Sequence, residues 1–329
     1  MKYHSNVYRF LFLAAVLLLA MAFAVSVSAD GKGQYSGEDV GFAQIVGSPL
    51  TINVAVDGSY QVIHDAVDPF TPGQVYPTSY DEADAGIFVW YGNYVIGPDF
   101  DNHAVSASNS YDAWSNVSQS PVTGSGTPGD PYVVSTSVSN GDSGVTADIN
   151  TSYVDGEDYF RIDWTICVPT PGDISTFLAA DFYLQGSDAG YPYYDPVTGS
   201  IGGTNEAMDW YQIFTPISPA DAYMESTYYT IWDAIGSAGL AGPGFDNTVV
   251  DSLIDNGGGL QWNEAVTSCA TFASWWSFGT TPVPPPTSVS LTGGLVGEGH
   301  PAGSLYLLAL LLVVVVAGAW LVRRRLVSR

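Results

Sequence analysis

The chain has 329 residues, of which 46% are hydrophobic and only 12% charged, and its formal net charge is −25. All 33 acidic residues lie between Asp30 and Glu298, a region that holds only 2 basic residues, Lys32 and Arg161, so its formal charge is −31. Because recognition of phosphate groups needs lysine or arginine, this composition excludes nucleic acids and anionic lipid surfaces as partners of the region.

Residues 1–29 have the pattern of a secretory signal peptide. Basic residues precede an apolar run from Phe10 to Val25, and Val27-Ser28-Ala29 then supplies the small-x-small pattern of a cleavage site. We expect the chain to be exported and cut after Ala29. An uncleaved N-terminal anchor is the alternative.

Residues 30–279 are predicted to form an extracellular all-β domain. Short apolar or alternating runs recur, such as LTINVAV (50–56), GIFVWYGNYVIG (86–97) and STFLAADFYL (175–184), and turn signals such as VDGS separate them. Abundant Val, Thr, Tyr, Ser and Gly favour strands and turns. The spacing predicts a large antiparallel β-sandwich with one short helix within residues 219–239.

Two short motifs resemble catalytic or phosphate-binding signatures. GDSG at 141–144 would need a histidine base beside its serine, and neither His64 nor His103 has the sequence setting of such a base. GSGTPG at 124–129 fits a dinucleotide pattern but leads into a strand, so no helix N-terminus is present to receive a phosphate. We interpret both motifs as turns.

The two cysteines of the chain, Cys167 and Cys269, both lie in the exported region, where an even count favours a disulfide. Strand periodicity in YFRIDWTICV (159–168) places Cys167 on the more polar face. In AVTSCATFASWWSF (265–278), Cys269 shares a face with Trp275. Two neighbouring strands are therefore predicted to present the cysteines side by side.

A near-repeat, GPDFDNHAV at 97–105 and GPGFDNTVV at 242–250, is predicted to form two Asx turns, each with its phenylalanine in the core beneath. The alternative is a pair of oxygen-rich loops, with Asp99, Asp101 and Asp246 as ligands of a cation such as Ca²⁺. Ca²⁺ is the one cofactor that the sequence suggests, although the spacing does not fit an EF-hand loop.

The stretch ADFYLQGSDAGYPYYDPVTGSIGG at 180–203 combines aromatic rings and carboxylates, the pairing that binds sugars. The candidate ligand contacts are Asp188, Tyr191, Tyr193, Tyr194, Asp195 and Trp210. Packing of loops against one another is the alternative interpretation. Catalysis on a glycosidic bond would need two carboxylates about 5 to 9 Å apart, and sequence spacing singles out no such pair.

The end of the chain is predicted to anchor the protein in a membrane. Residues 280–303 are rich in Pro, Thr, Ser and Gly and are interpreted as a stalk. Residues 304–322 are 19 residues without a charge, enough to span about 30 Å of hydrocarbon at about 1.5 Å per residue. The basic tail, 323–329, is expected on the cytoplasmic side, which places the N-terminal bulk outside a single-pass cell membrane protein.

This order of stalk, apolar helix and arginine cluster resembles the C-terminal sorting signals of prokaryotic surface proteins. The resemblance covers about the last 45 residues and lacks an LPxTG motif, since SLTGG at 290–294 has no Leu-Pro. It therefore leaves open whether a sorting enzyme cuts the tail or the helix remains as the anchor, and a GPI signal is a third possibility.

The spacing of the alternating strand segments in INTSYVDGEDYFRIDWTI and PGDISTFLAADFYL resembles the long paired strands of super-sandwich domains in mutarotase-like and some glycoside hydrolase proteins. This resemblance implies a fold and brings no catalytic motif. Together, the patterns predict a membrane-anchored surface protein whose ectodomain is non-enzymatic, with a structural, adhesive or ligand-binding role toward a surface glycan or another surface protein. The alternative is a carbohydrate-active enzyme or lectin on a super-sandwich scaffold.

Overall fold

The computed structural model describes residues 41–67, 73–78, 81, 83–98, 111–239 and 242–282. The predicted signal peptide, the transmembrane segment, the basic tail and most of the stalk lie outside these ranges. Among the described residues, no helix has both the length and the apolar character needed to cross a membrane.

The described residues form seventeen strands and one helix. The strands are β1 Phe42–Val46, β2 Leu50–Ala55, β3 Tyr60–His64, β4 Ala85–Tyr91, β5 Tyr94–Gly97, β6 Tyr111–Ala113, β7 Ser115–Gln119, β8 Tyr132–Ser139, β9 Thr146–Tyr153, β10 Tyr159–Cys167, β11 Gly172–Asp181, β12 Ala189–Asp195, β13 Ser200–Asn205, β14 Tyr211–Pro216, β15 Ala222–Thr227, β16 Ile254–Val266 and β17 Cys269–Gly279. The helix, α1, is Tyr228–Ser237 and follows β15 directly.

Strands β1 to β3 form a small antiparallel sheet, and the other fourteen strands form one continuous sheet that consists of two halves. The helix-covered half has the order β6-β5-β4-β11-β16-β15, and the open half has the order β12-β13-β14-β17-β10-β9-β8-β7. Strand β16 joins the halves, because its first residues, Ile254 and Asp255, pair with β12 while the rest of it pairs with β11 and β15. This architecture confirms the predicted all-β sandwich.

The main core lies between the two halves, where their inner faces meet. In β10 every second residue is buried, as the period of two in the sequence predicts. Trp164 of β10 lies with its ring centroid 5.0 Å from that of Trp262 of β16, and its Nε1 donates a hydrogen bond of 3.1 Å to Thr176 of β11. Indole rings from one half therefore fill the space against the other, with the polar N–H satisfied.

Helix α1 packs on the other face of the helix-covered half. Its apolar residues Ile231, Trp232 and Ile235 are buried together with Phe88 of β4 and Phe177 of β11. The prediction of a helix within 219–239 is correct only for the second part of that stretch. The first part is strand β15, because its backbone pairs with β16 and this pairing overrides local preference.

The predicted disulfide is confirmed. Cys167 and Cys269 are directly opposite each other on β10 and β17, and their sulfurs are joined at 2.09 Å. On the same outward face, the hydroxyls of Thr165 and Thr271 lie 2.9 Å apart.

Both motif-like segments are turns, as predicted. In GDSG, the Ser143 hydroxyl donates to Asn140 Oδ1 at 2.7 Å. In GSGTPG, the backbone N–H of Asp130 donates to the Thr127 carbonyl at 3.0 Å and closes a tight turn.

The second copy of the near-repeat forms the predicted Asx turn. Asp246 Oδ1 accepts a hydrogen bond of 3.0 Å from the backbone N–H of Thr248, and the neighbouring Phe245 is buried against Phe177. Asp99 and Asp101 lie outside the described residues. Within the described ranges, no group of three or more His, Cys, Asp or Glu side chains is arranged to hold a metal ion.

Candidate active site

Three main-chain hydrogen bonds join Asp84, Asp181 and Tyr76 where β11 ends in the helix-covered half. Asp181 ends β11, and its N–H donates to the Asp84 carbonyl at 2.8 Å. The N–H of Tyr76 donates to the Asp181 carbonyl at 3.1 Å, and that of Asp84 donates to the Tyr76 carbonyl at 2.9 Å. Since Phe177 and Ala179 face α1, the alternation of β11 places the Asp181 side chain on that same face.

After β11, a short loop brings the chain back to the same end of the sheet. The N–H of Leu184 donates to the Ser187 carbonyl at 2.8 Å, which closes the loop. The Asp188 carbonyl then accepts a hydrogen bond of 3.1 Å from the N–H of Asn256, and Asp255 pairs with the first residue of β12. The pairing of β12 with β16 therefore brings Asp188 and Asp255 beside each other.

We call this group of side chains the acidic site. It consists of Asp84, Asp181, Asp188, Asp255, Tyr76, Tyr183 and Tyr228. Asp84 and Asp181 are each only 2% exposed, whereas Asp255 and Tyr76 are exposed to solvent. The site thus has a buried acidic floor and a solvent-accessible rim.

Burial sets the protonation of the carboxyl groups. Burial raises the pKa of Asp181 well above its ordinary value, and the nearby charges of Asp84, Asp255 and Asp188 raise it further. Asp255 is at the exposed rim, but partial burial of its carboxyl group, followed by the charge of Asp188, raises its pKa to about 6. The Oδ1 atoms of Asp181 and Asp188 are buried and have no hydrogen-bond partner within the described chain. Burial therefore favours the protonated form of Asp181, beside the carboxyl group of Asp255 with its pKa of about 6.

The tyrosines bring apolar rings and hydroxyl groups to the same place. Burial raises the pKa of Tyr228, and the charges of Asp255 and Asp181 raise it further. Burial and the charge of Asp188 likewise raise the pKa of Tyr183. Tyr228 is also the first residue of α1, and a helix N-terminus favours nearby negative charge.

The glycines of DNGGGLQW (255–262) allow this packing. A Cβ atom on Gly257 would lie 2.9 Å from the Cα of Tyr228, and one on Gly258 would lie 2.9 Å from the ring of Phe182. Neither contact is compatible with a side chain at these positions. Three consecutive glycines after Asn256, inside a strand, are a sequence signal for the close approach of another segment.

A buried glutamate lies behind the acidic site, between the halves. Glu225 is 0% exposed, and its Oε1 accepts a hydrogen bond of 2.6 Å from Asn256 Nδ2. Burial raises the pKa of Glu225 from 4.5 to about 9, although a backbone hydrogen bond with Val250 lowers it in part. Glu225 is therefore protonated in the folded protein at neutral pH.

Glu225 makes the stability of the protein dependent on pH. Between pH 4.5 and about 9 the unfolded chain releases a proton that the folded chain keeps, so the free energy of unfolding falls by up to about 1.4 kcal/mol per pH unit. The contribution of the protonated group is complete below pH 4.5 and is lost as the pH rises through about 9.

We expect Glu225→Gln to flatten this dependence and to raise the free energy of unfolding at pH 8 by about 2 to 4 kcal/mol, because glutamine needs no proton to remain neutral. Urea unfolding between pH 5 and 9 measures it, with Glu264→Gln as the control because Glu264 is exposed. If the pH slope of Glu225→Gln equals that of the wild type, Glu225 is ionised in the fold.

The structure separates most of the sequence-predicted ligand contacts. Asp188 belongs to the acidic site, and Tyr191 and Tyr193 lie on the outward face of the open half. Tyr194 is on the opposite face, where its ring stacks on Tyr223 with centroids 4.2 Å apart. Residues 189–195 form a strand and not a loop, so successive side chains point in opposite directions.

Asp195 and Trp210 have structural roles. Asp195 accepts hydrogen bonds from the Val197 N–H at 2.9 Å and from the Thr198 hydroxyl at 2.8 Å, which hold the β12–β13 turn and lower its pKa. Trp210 is 1% exposed, and its Nε1 donates to Gln74 at 2.9 Å.

A depression of about 350 Å³ lies next to the acidic site. Its lining comes from the loop that ends in Asp188 and from the end of β13, and consists of Leu184, Gln185, Ser187, Asn205, Glu206 and Ala207. Gln185 and Glu206 of this lining are exposed and therefore accessible to a ligand.

No protein-family model and no curated protein sequence matches this chain. Solved structures similar to it include a bacterial glucoamylase complexed with acarbose, with TM-score 0.48 and 9% identity over 76% of this chain and 35% of that one. Heparan sulfate lyase HepC from Pedobacter heparinus has TM-score 0.40 and 9% identity over 82% and 42%. An aldose epimerase homologue from C. elegans has TM-score 0.38 and 12% identity over 74% and 99%.

The prediction of a non-enzymatic ectodomain is corrected by this finding, because these structures carry the names of carbohydrate enzymes, as the alternative prediction expected. An aldose epimerase homologue is also of the mutarotase-like class that the strand rhythm resembles. The chain spans less than half the length of the glucoamylase and lyase structures. With TM-scores below 0.5, these structures assign no role to any residue of this chain.

Proposed function

We propose that the protein is a carbohydrate-active enzyme that cleaves glycosidic bonds of a neutral glycan at the acidic site. Asp181 is the general acid that protonates the leaving oxygen, and Asp255 is the second carboxylate, which activates water or attacks the sugar. The observation that carries this proposal is the buried Asp181 carboxyl, whose Oδ1 has no partner among the described residues and which lies among Asp84, Asp188 and Asp255.

The reaction needs two carboxyl groups in different protonation states. Burial favours the protonated form of Asp181, and partial burial of Asp255 beside Asp188 supports an ionisable partner with a pKa of about 6. Environments that push the pKa values of neighbouring carboxyls apart are the usual means of assigning acid and base. Tyr76 and Tyr228 supply ring faces for the apolar side of a sugar.

Charge favours a neutral substrate. The acidic site contains four carboxyl groups, and Arg161 is the one lysine or arginine in the described ranges. Arg161 is bound to Asp163 on the open half, away from the acidic site. A sulfated or carboxylated glycan would meet like charge without a compensating cation.

The cellular location completes the proposal. The apolar segments at 10–25 and 304–322, with the arginines that follow the second, support an exported domain held at the outer surface of a cell membrane. Such a location gives access to extracellular polysaccharides.

The test is a screen of the full-length protein in mild detergent for new reducing ends on neutral polysaccharides and oligosaccharides, between pH 4 and 8. We expect release of reducing sugar from at least one neutral glycan, with a rate that depends on a group of pKa near 6. Release from anionic glycans alone would contradict the assigned substrate class, and no release from any glycan would contradict the enzyme.

A further inference from the structure

Four aromatic side chains lie together on the outward face of the open half, on the opposite side of the sandwich from α1. We call Tyr193, Tyr211, Trp275 and Tyr159 the aromatic face; they come from β12, β14, β17 and β10, respectively. All four are partly exposed. Tyr193 and Tyr211 meet edge to face at 5.7 Å between ring centroids, and Tyr159 and Trp275 do so at 5.2 Å.

The strand register arranges these rings across five neighbouring strands. One row runs from Tyr193 through Gly202, Ile213 and Ser277 to Tyr159. At a strand spacing of about 4.8 Å, this row is about 19 Å long. Gly202 of β13 has no side chain, so the rings of Tyr193 and Tyr211 can meet across that strand. The aromatic face is therefore an extended platform that suits a chain molecule better than a single small ligand.

A buried hydroxyl lies within this platform. Ser277 is 8% exposed, and its Oγ has no hydrogen-bond partner among the described residues. Buried hydroxyls in native proteins are nearly always hydrogen-bonded. A ligand hydroxyl placed on the platform beside Tyr159, which is the cross-strand neighbour of Ser277, would satisfy it.

The charge of the platform indicates the type of chain. Arg161 lies over the Trp275 ring at 5.7 Å, but its guanidinium binds both carboxylate oxygens of Asp163, so the pair has no net charge. Asp195 is at the end of the platform. An anionic chain would find no free cation on the described part of this face, whereas ring C–H groups of neutral sugars pack well on aromatic rings.

We propose that the aromatic face is a second carbohydrate-binding site, which holds an extended neutral polysaccharide and is separate from the acidic site. The aromatic face and the acidic site share no residue, so this proposal does not depend on catalysis at the acidic site. Its effect would be to keep the membrane-anchored domain on a polymer.

The test is co-sedimentation of the full-length protein in mild detergent with starch granules, microcrystalline cellulose and insoluble mannan. We expect binding to at least one of these polymers. Tyr211→Ala and Trp275→Ala should each weaken that binding about tenfold, since each removes one stacking ring. Tyr211→Phe and Trp275→Phe keep a ring and should retain most of the affinity, which separates loss of stacking from loss of folding.

Tyr229→Ala is the matched control, because Tyr229 is 51% exposed on α1 and lies on the other side of the sandwich. Thermal melting verifies that each variant is folded. The proposal is overturned if the wild type sediments with none of the polymers, or if folded Tyr211→Ala and Trp275→Ala bind as the wild type does. Asp181→Asn should bind normally, so loss of binding in that variant alone would place the polymer at the acidic site and also overturn the proposal.

Discussion

Replacement of Asp181 by asparagine is expected to lower the turnover of the glycan substrate by about 10² to 10⁴-fold, the usual contribution of a general acid. Asparagine has nearly the same shape, so the hydrogen bonds of the Asp181 backbone to Asp84 and Tyr76 remain. It cannot transfer a proton to the leaving oxygen. Because the substitution removes a carboxyl from a crowded acidic group, stability should be unchanged or increased.

The measurement is the initial rate of reducing-sugar release by the wild type and Asp181→Asn at equal concentrations. Asp173→Asn is the matched control, because Asp173 is an exposed aspartate at the opposite end of the same strand. A folded Asp181→Asn variant with more than about a tenth of the wild-type rate would be inconsistent with general acid catalysis by this residue.

Asp255, the second carboxylate, should be recognisable in the pH dependence of kcat/KM. Asp255 has a pKa of about 6, so kcat/KM of the wild type should rise with pH through that value as the carboxylate ionises. Asp255→Asn should abolish this rising limb together with most of the activity. A pH profile of the residual activity that still rises near pH 6 would assign the limb to another group.

Removal of the disulfide should have the largest effect on stability. Cys167 and Cys269 are 102 residues apart, and release of a loop of that length costs about 4.7 kcal/mol in the chain-entropy account. The double variant Cys167→Ser, Cys269→Ser keeps small side chains at both positions. We therefore expect a lower denaturation midpoint for it with little change in activity, since the cysteines lie on the outward face, at the end of β10 and the start of β17, and do not belong to the acidic site.

Urea unfolding of the oxidised wild type and the double variant measures this cost. Thr165→Ala with Thr271→Ala removes the adjacent cross-strand pair and should cost less than about 1 kcal/mol. A loss of less than about 1 kcal/mol in the cysteine variant would mean that loop closure is not what the disulfide contributes.

The general fold was predictable because its signals are local. Alternation in segments such as 159–168 assigns each side chain to a face, and the same alternation placed the two cysteines correctly. The turn chemistry of Asp246 is local as well. Strand β15 was not predicted, because its state depends on the neighbouring edge of β16, which a local pattern does not contain.

The acidic site could not be predicted as a unit. It combines Asp84, Asp181, Asp188 and Asp255, which come from distant parts of the chain and meet through the pairing of β4, β11, β12 and β16. Within the stretch 180–203, the surrounding tyrosines indicate Asp188 as a site residue. The glycines and prolines of the same stretch indicate a loop, whereas Tyr193 and Tyr194 lie on a strand and therefore on opposite faces.

The structure of Asp181→Asn with an oligosaccharide of the neutral glycan that the wild type cleaves tests the central claim most directly. We predict a sugar ring in contact with Asp255 and Tyr228, with its glycosidic oxygen within hydrogen-bond distance of the side chain at position 181. A bound oligosaccharide only on the aromatic face, with an empty acidic site in crystals that leave that site open, would contradict the assignment of catalysis to Asp181.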